Sequence, residues 1–358
     1  MPTNVTAEYK KAKAAFQKAR DPNERLSCLK EMLRTLPKHK GTEHLQAEIK
    51  TRIKELTEEL ASPRKKGART GPAHTVPPEG AAQVALVGPP NSGKSSLHAK
   101  LTGSHAEIGP YPHTTHVPLP GMLPFEDIHF QLVDLPPVST SFMEPWMPNA
   151  LQLANAALLV VDLSTPGCVE NVAATRERLD SKRISLTDQW VASFGEGYLY
   201  TDDAKPRPTD PDTGAGPDGD DEDDPFRTFL PTLLLANKSD LGIDPAEIEA
   251  LEELIGVCYP AVPVSAKTGD GLDRIGRLLF HGLRIVRAYT KVPGRPPDMD
   301  RPYTLLHGDT VYDVARLVHR DVADSLKFAR VWGSARFDGQ QVGKDHPVCD
   351  GDILELHA

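Results

Sequence analysis

The chain has no run of 18 apolar residues, no Cys-x-x-Cys pair and no apolar segment near its start. The first absence argues against a membrane-spanning helix, and from the last no secretory signal is expected. Its four cysteines, Cys28, Cys168, Cys258 and Cys349, are too scattered for a zinc site or a disulfide framework. The expectation is a cytoplasmic protein with reduced thiols and no membrane partner. Hydrophobic residues make up 39% of the 358, a modest share that fits two or three small cores diluted by linkers.

The formal net charge of −9 hides a split. The first 70 residues carry 17 Lys and Arg against 9 Asp and Glu, whereas Thr201–Pro225 is rich in Pro, Gly and Asp and contains Asp220-Asp221-Glu222-Asp223-Asp224. Such a tract cannot bury enough apolar surface to offset the entropy of ordering it. It reads as a disordered acidic loop inserted between strands (about 201–225), solvated or able to mimic nucleic acid towards a basic partner.

Residues 1–62 read as a helical domain. Asp21-Pro22-Asn23-Glu24 is a helix start, with a cap residue, Pro at the first position and an acid in the first turn. Thr42 opens a longer helix whose Leu45, Ile49, Ile53, Leu56 and Leu60 share one narrow face, which suggests an αα-hairpin. A basic Pro/Gly linker follows over 63–80, and its Arg64-Lys65-Lys66 could meet RNA phosphates.

The next segment carries chemistry. Gln83 to Val87 reads as a buried strand, Gly88-Pro89-Pro90-Asn91-Ser92-Gly93-Lys94-Ser95 as a glycine-rich loop, and the residues after Ser95 as a helix. Strand, G-x-x-x-x-G-K-S loop and helix form a P-loop, in which backbone N–H groups and the helix N-terminus hold phosphate oxygens. Lys94 is expected to reach the β- and γ-phosphates, and the Ser95 hydroxyl to ligate Mg²⁺. Gly88, Asn91, Ser92, Gly93, Lys94, Ser95 and Ser96 are the expected nucleotide contacts here.

The base is read further on. Leu233-Leu234-Leu235-Ala236 delivers Asn237-Lys238-Ser239-Asp240 to a strand end, where open α/β sheets bind ligands. A carboxylate such as Asp240 accepts two hydrogen bonds at once, matching the N1–H and 2-amino donors of guanine. Adenine lacks that pair and would leave the acceptor unpaired, at a heavy penalty. Val262-Pro263-Val264 is a second strand ending in Ser265-Ala266-Lys267, whose backbone could meet the guanine oxygen. Together with Asn237, Lys238 and Asp240 these residues point to GTP and GDP rather than ATP, on a doubly wound α/β P-loop GTPase domain over 81–290.

With these motifs the chain resembles the Obg/DRG group of translation-factor-class GTPases, and within it the developmentally regulated GTP-binding proteins. Leu36-Pro37-Lys38-His39-Lys40-Gly41-Thr42-Glu43 is similar to that family's helical N-terminus, and Tyr111-Pro112-His113-Thr114-Thr115 resembles its switch I (here about 103–118). Leu326-Lys327-Phe328-Ala329-Arg330-Val331-Trp332-Gly333-Ser334 resembles its TGS domain, a ubiquitin-like β-grasp expected over 298–358 after a Pro-rich hinge at 291–297. There Thr310-x-x-Asp313 forms a capping box before a helix with Val311, Val314, Ala315 and Val318. The family's central second lobe has no recognisable counterpart.

The resemblance implies that Asp134 holds Mg²⁺ through a water and that Thr115 closes on Mg²⁺ and the γ-phosphate, so Lys94, Thr115 and Asp134 are the implied catalytic set. In several relatives an Asn at the position of Asn91 helps hold K⁺ beside the phosphates. His113 and His116 read as exposed loop histidines. One departure stands out: where the family has D-x-P-G, this chain has Asp134-Leu135-Pro136-Pro137. Proline has no N–H to offer the γ-phosphate and stiffens a hinge that should move. Val138 follows where some GTPases place a water-orienting glutamine, which implies slow turnover.

The expected function is a slow, Mg²⁺-dependent GTPase switch, with possible K⁺ stimulation, that meets the ribosome or RNA through its basic N-terminal segment and TGS domain, with room for a protein regulator. The alternatives are a GTP-bound adaptor that does not hydrolyse and an RNA-binding scaffold.

Overall fold

The computed structural model describes residues 6–19, 22–37, 42–61, 76–104, 117–139, 142–190 and 224–357. It divides into two compact units, Met1–Ala73 with Arg207–Thr228, and His74–Pro206 with Phe229–Ala358. The 201–225 tract, apart from its last two residues, and the Tyr111–Thr115 motif with Thr115, His113 and His116 lie outside the described residues.

The first unit contains helices α1 (Ala7–Lys18), α2 (Pro22–Thr35) and α3 (Glu43–Ala61). Thr6 caps α1 by accepting from the Tyr9 N–H, satisfying one of the donors a helix start leaves over. Successive helices pack together, so the expected hairpin carries a third helix. Ile49 is fully buried and Leu45, Ile53 and Leu56 partly so, while Leu60 at the end of the stripe is exposed. Phe226 packs edge-on against Phe16 at 6.0 Å between centroids and lies under the Arg52 guanidinium.

The second unit holds two sheets among the described residues. The first has seven strands: β1 (Gln83–Val87), β2 (Leu119–Phe125), β3 (Ile128–Asp134), β4 (Ala156–Asp162), β5 (Ile184–Thr187), β6 (Thr228–Asn237) and β7 (Ala261–Val264). Their order is β2-β3-β1-β4-β6-β5, with β7 on β6. β1, β3, β4, β6 and β7 run parallel, and β2 returns antiparallel on β3. β1 and β4 are buried along their whole length, as expected of strands covered on both faces. One core contains Val87, Leu159 and Leu234, and the other Leu86, Leu158 and Leu235. Alternate residues of the same strands thus feed opposite layers. The prolines of β2 are tolerated because an edge strand does not need every N–H.

Around this sheet lie α4 (Lys94–Thr102), α5 (Met147–Leu151), α6 (Cys168–Asp180), α7 (Pro245–Ile255) and α8 (Ile275–Gly282). Every parallel strand that bears an expected site residue ends at the same edge: β1 before Gly88, β3 at Asp134, β6 at Asn237 and β7 before Ser265.

The second sheet, β11-β10-β12-β8-β9, comprises β8 (Ile285–Thr290), β9 (Asp298–Leu306), β10 (Phe328–Trp332), β11 (Gln340–Val342) and β12 (Asp352–His357). It is packed by α9 (Val311–Val318) and the short α10 (Arg320–Ser325). The expected capping box is present, with the Thr310 N–H donating to Asp313 Oδ2 at 2.8 Å, and Val311, Val314 and Ala315 are buried. The expected boundary shifts: a limit at 290 puts β8 with the GTPase domain, but β8 pairs antiparallel with β9 and parallel with β12. The 291–297 segment therefore joins two strands of one sheet rather than hinging two domains. Nothing in the local sequence of β8 reveals which sheet claims it.

Candidate nucleotide-binding site

At the C-terminal edge of the first sheet the chain turns through Gly88–Gly93 into α4. Gly93 has φ 92, and a Cβ there would lie 2.1 Å from Asn237 Nδ2. A Cβ on Gly88 would lie 2.4 Å from the Val160 carbonyl oxygen. The loop follows its course because both positions lack a side chain. Asn91 also has positive φ, 60, a conformation asparagine tolerates better than most residues.

Lys94 is buried, and its Nζ donates to the carbonyls of Gly88 and Pro89 at 3.0 and 2.8 Å. Burial lowers its pKa to about 8, against a smaller opposing pull from Asp134. The Ser95 hydroxyl donates to Asp134 Oδ2 at 2.6 Å, and Asp134 is fully buried. Ser92 is buried too, and its Oγ has no hydrogen-bond partner among the described residues.

The distant motifs converge on this loop. Asn237 Nδ2 donates to the Ser92 carbonyl at 2.9 Å, and its Oδ1 accepts from the Ala266 N–H at 3.2 Å. Asp240 Oδ1 accepts from the Ser265 hydroxyl at 2.7 Å, and Lys267 Nζ lies 3.5 Å from Oδ2. The Ser265 hydrogen bond leads the contacts that hold the Asp240 carboxyl below the usual carboxylate range. Ser265 Oγ in turn accepts from the N–H groups of Lys267 and Thr268. A cavity of about 650 Å³ opens here, lined by Gly93, Ser96, Asn237, Lys238, Asp240 and Lys267 among others. That is ample for a purine base.

Lys238 makes a contact that the tetrapeptide does not reveal. Its backbone is left-handed at φ 67, and its Nζ meets Asp162 Oδ2 at 2.5 Å. Asp162 also accepts from the hydroxyls of Ser164 and Thr165. Burial pushes the Asp162 carboxyl up, but these hydrogen bonds outweigh it and leave it lowered. The signal was a lone Asp at the end of an apolar strand, too common to stand out.

The double-proline segment packs inward. Leu135, Pro136, Pro137 and Val138 are all buried, and the Val138 N–H donates to the Gly88 carbonyl at 3.2 Å. The first N–H after Pro137 is therefore committed to the P-loop.

The family described as "50S ribosome-binding GTPase" matches residues 83–191, and the TGS domain matches residues 286–358. A GTP-binding protein of Methanocaldococcus jannaschii is 29% identical, with 93% of this chain and 92% of that protein covered. Developmentally-regulated G-protein 3 of Arabidopsis thaliana is also 29% identical, covering 91% and 95%. Developmentally-regulated GTP-binding protein 1 of Xenopus laevis is 28% identical, covering 91% and 96%.

Proposed function

We infer that this chain, a P-loop GTPase with a TGS domain related over most of its length to the developmentally regulated GTP-binding proteins, acts as a slow guanine-nucleotide switch. The observation that carries this reading is Asn237. Its two hydrogen bonds tie the phosphate loop at Ser92 to the base-side loop at Ala266, with Asp240 set beside them by Ser265.

In this reading Asp240 accepts from the two guanine donors, and Ala266 and Lys267 face the guanine oxygen. Lys94 exchanges its loop carbonyls for β- and γ-phosphate oxygens. The buried Ser92 hydroxyl fits a loop built to meet an anion. Ser95 and Asp134 supply a hydroxyl and a carboxylate 2.6 Å apart, hard oxygen donors suited to Mg²⁺. Thr115 joins them by resemblance to the family. Bound Mg²⁺ would neutralise charge developing on the phosphates. Asn91, held at φ 60, is the residue that would face K⁺.

Pro137 sets the rate in this proposal. It has no N–H for the γ-phosphate, and the next one, on Val138, is spent on Gly88. The γ-phosphate thus loses a donor that would strengthen in the transition state, so turnover is slow. An RNA or ribosomal partner is supported by exposed Arg316, Arg320, Lys327, Arg330, Arg336 and Lys344 on the TGS domain. Arg330 stands between Phe328 and Trp332 along β10, a spacing that puts all three on one face of the strand.

The test is competition for a fluorescent GDP, followed by single-turnover hydrolysis in KCl and in NaCl. GTP should displace the probe and ATP should not. Equal displacement by ATP would remove the guanine assignment. Faster hydrolysis in KCl supports K⁺ at Asn91, and equal rates remove it.

A further inference from the structure

The strands β2 and β3 form one hairpin whose two ends carry different cargo. Its open end pairs Leu119 with Asp134, and seven facing pairs lead to Phe125 and Ile128 at the turn. Leu119 follows the segment expected to be switch I, and Asp134 begins the double-proline segment. The hairpin therefore spans roughly 20 Å, at about 3.4 Å per residue, between the nucleotide edge and a remote tip.

That tip is gripped by the TGS sheet. Arg287 Nη1 on β8 donates to Glu126 Oε2 at 2.5 Å and to Asp127 Oδ1 at 2.9 Å. The same guanidinium takes Asp350 of its own domain through Nε and Nη2, at 3.0 and 2.8 Å. The Tyr289 hydroxyl donates to Asp127 Oδ2 at 2.5 Å. Arg287 is 17% exposed at its side chain and lies 4.8 Å over the Phe280 ring. Phe280 packs on Phe125, the residue before the tip, at 5.6 Å. Gly276 on α8 lets this happen, since a Cβ there would lie 2.7 Å from the Phe125 ring.

Glu126 has φ 49, the left-handed conformation that two-residue hairpin turns call for and that glutamate takes less readily than glycine or asparagine. Three carboxylates also converge on one cation, so without Arg287 the tip and Asp350 would repel each other.

We propose that the hairpin is a lever that couples the nucleotide state at Asp134 to the seating of the TGS domain through the Arg287 clamp. The proposal rests on the guanine-nucleotide reading above. The lever requires β2 and β3 to slide as a pair against β1, which holds β3 over Gln131–Asp134, so that a shift at Asp134 on exchange of GDP for GTP reaches the tip. It then changes how Glu126 and Asp127 meet Arg287. Coupling is reciprocal: a partner that displaces the TGS domain alters nucleotide preference by the factor with which nucleotide alters TGS seating.

The test is hydrogen exchange of the full chain, in GDP and in a non-hydrolysable GTP analogue with Mg²⁺, read on peptides covering 285–290 and 350–354. Wild type should differ between the two states by about fivefold or more, the lower end of measured couplings. Arg287→Ala should exchange alike in both, and its preference between the two nucleotides should shift by a similar factor. The double variant Glu126→Gly with Asp127→Ala cuts only the hairpin side, leaves the Arg287–Asp350 pair intact and should do the same. State-independent exchange in wild type that binds both nucleotides would overturn the lever alone, as would a difference that survives in both variants. Failure of wild type to bind guanine nucleotide would overturn the functional reading and the lever with it.

Discussion

Asn237 and Ser92, 145 residues apart, meet in a 2.9 Å hydrogen bond from amide to carbonyl. The amide's other end accepts from Ala266, so one side chain fastens three loops. Asn237→Ala removes both contacts, each worth about 1 kcal/mol net and more where a buried group is left unpaired. We expect GDP affinity to fall by roughly 30-fold or more, the equivalent of about 2 kcal/mol, together with a lower urea midpoint. Titration with fluorescent GDP reads the first and a denaturation curve the second.

Asp240→Asn exchanges an acceptor pair for one acceptor and one donor. Xanthine carries an oxygen where guanine carries its 2-amino group, so the variant should favour xanthosine diphosphate. A nucleotide preference unchanged from wild type would falsify the base assignment.

Gly93→Ala forces a Cβ to 2.1 Å from Asn237 Nδ2 at a φ of 92. Either the loop or Asn237 must move. We expect about 1–3 kcal/mol of lost stability from backbone strain at this position, and a nucleotide affinity close to that of Asn237→Ala. Wild-type affinity in this variant would mean that the Asn237 bridge is dispensable.

Pro137→Gly restores an N–H beside the γ-phosphate position. Single-turnover hydrolysis should quicken by about 100-fold, the lower end of the scale on which one oxyanion-type donor acts. An unchanged rate would place the slow step elsewhere.

Lys94 supplies a pH signature in nucleotide-free protein. Its pKa falls from 10.5 in an exposed lysine to about 8 on burial, so between those values the unfolded chain binds more protons than the folded one. Stability contributed by this group therefore rises with pH across that window, by about 3 kcal/mol at most. Urea midpoints at pH 7.5 and 9.5 should diverge less in Lys94→Met than in wild type. Equal divergence would show that Lys94 titrates normally.

The site was legible where it is written in short contiguous patterns. Gly88 to Ser95, Asn237 to Asp240 and Ser265 to Lys267 each sit at a strand end and land on one edge of one sheet. Contacts between single residues far apart left no local mark. Asp162 reaches Lys238 over 76 residues and Asp127 reaches Arg287 over 160, and neither carboxylate differs in sequence from a surface acid. The limit at 290 misplaced β8 for the same reason, since strand alternation encodes a face and not a partner.

The span between Ser92 and Asn237 also bears on how the protein is made. A ribosome adding about 5–20 residues each second needs on the order of ten seconds to go from the P-loop to the residue that braces it. Through that interval β1 and α4 exist without β6 and β7, with apolar faces such as Leu97 and Leu158 uncovered. A nascent chain paused before Asn237 should therefore be open to chaperones and blind to nucleotide, and gain both its core and its ligand only once β6, β7 and the Ser265–Lys267 loop have emerged.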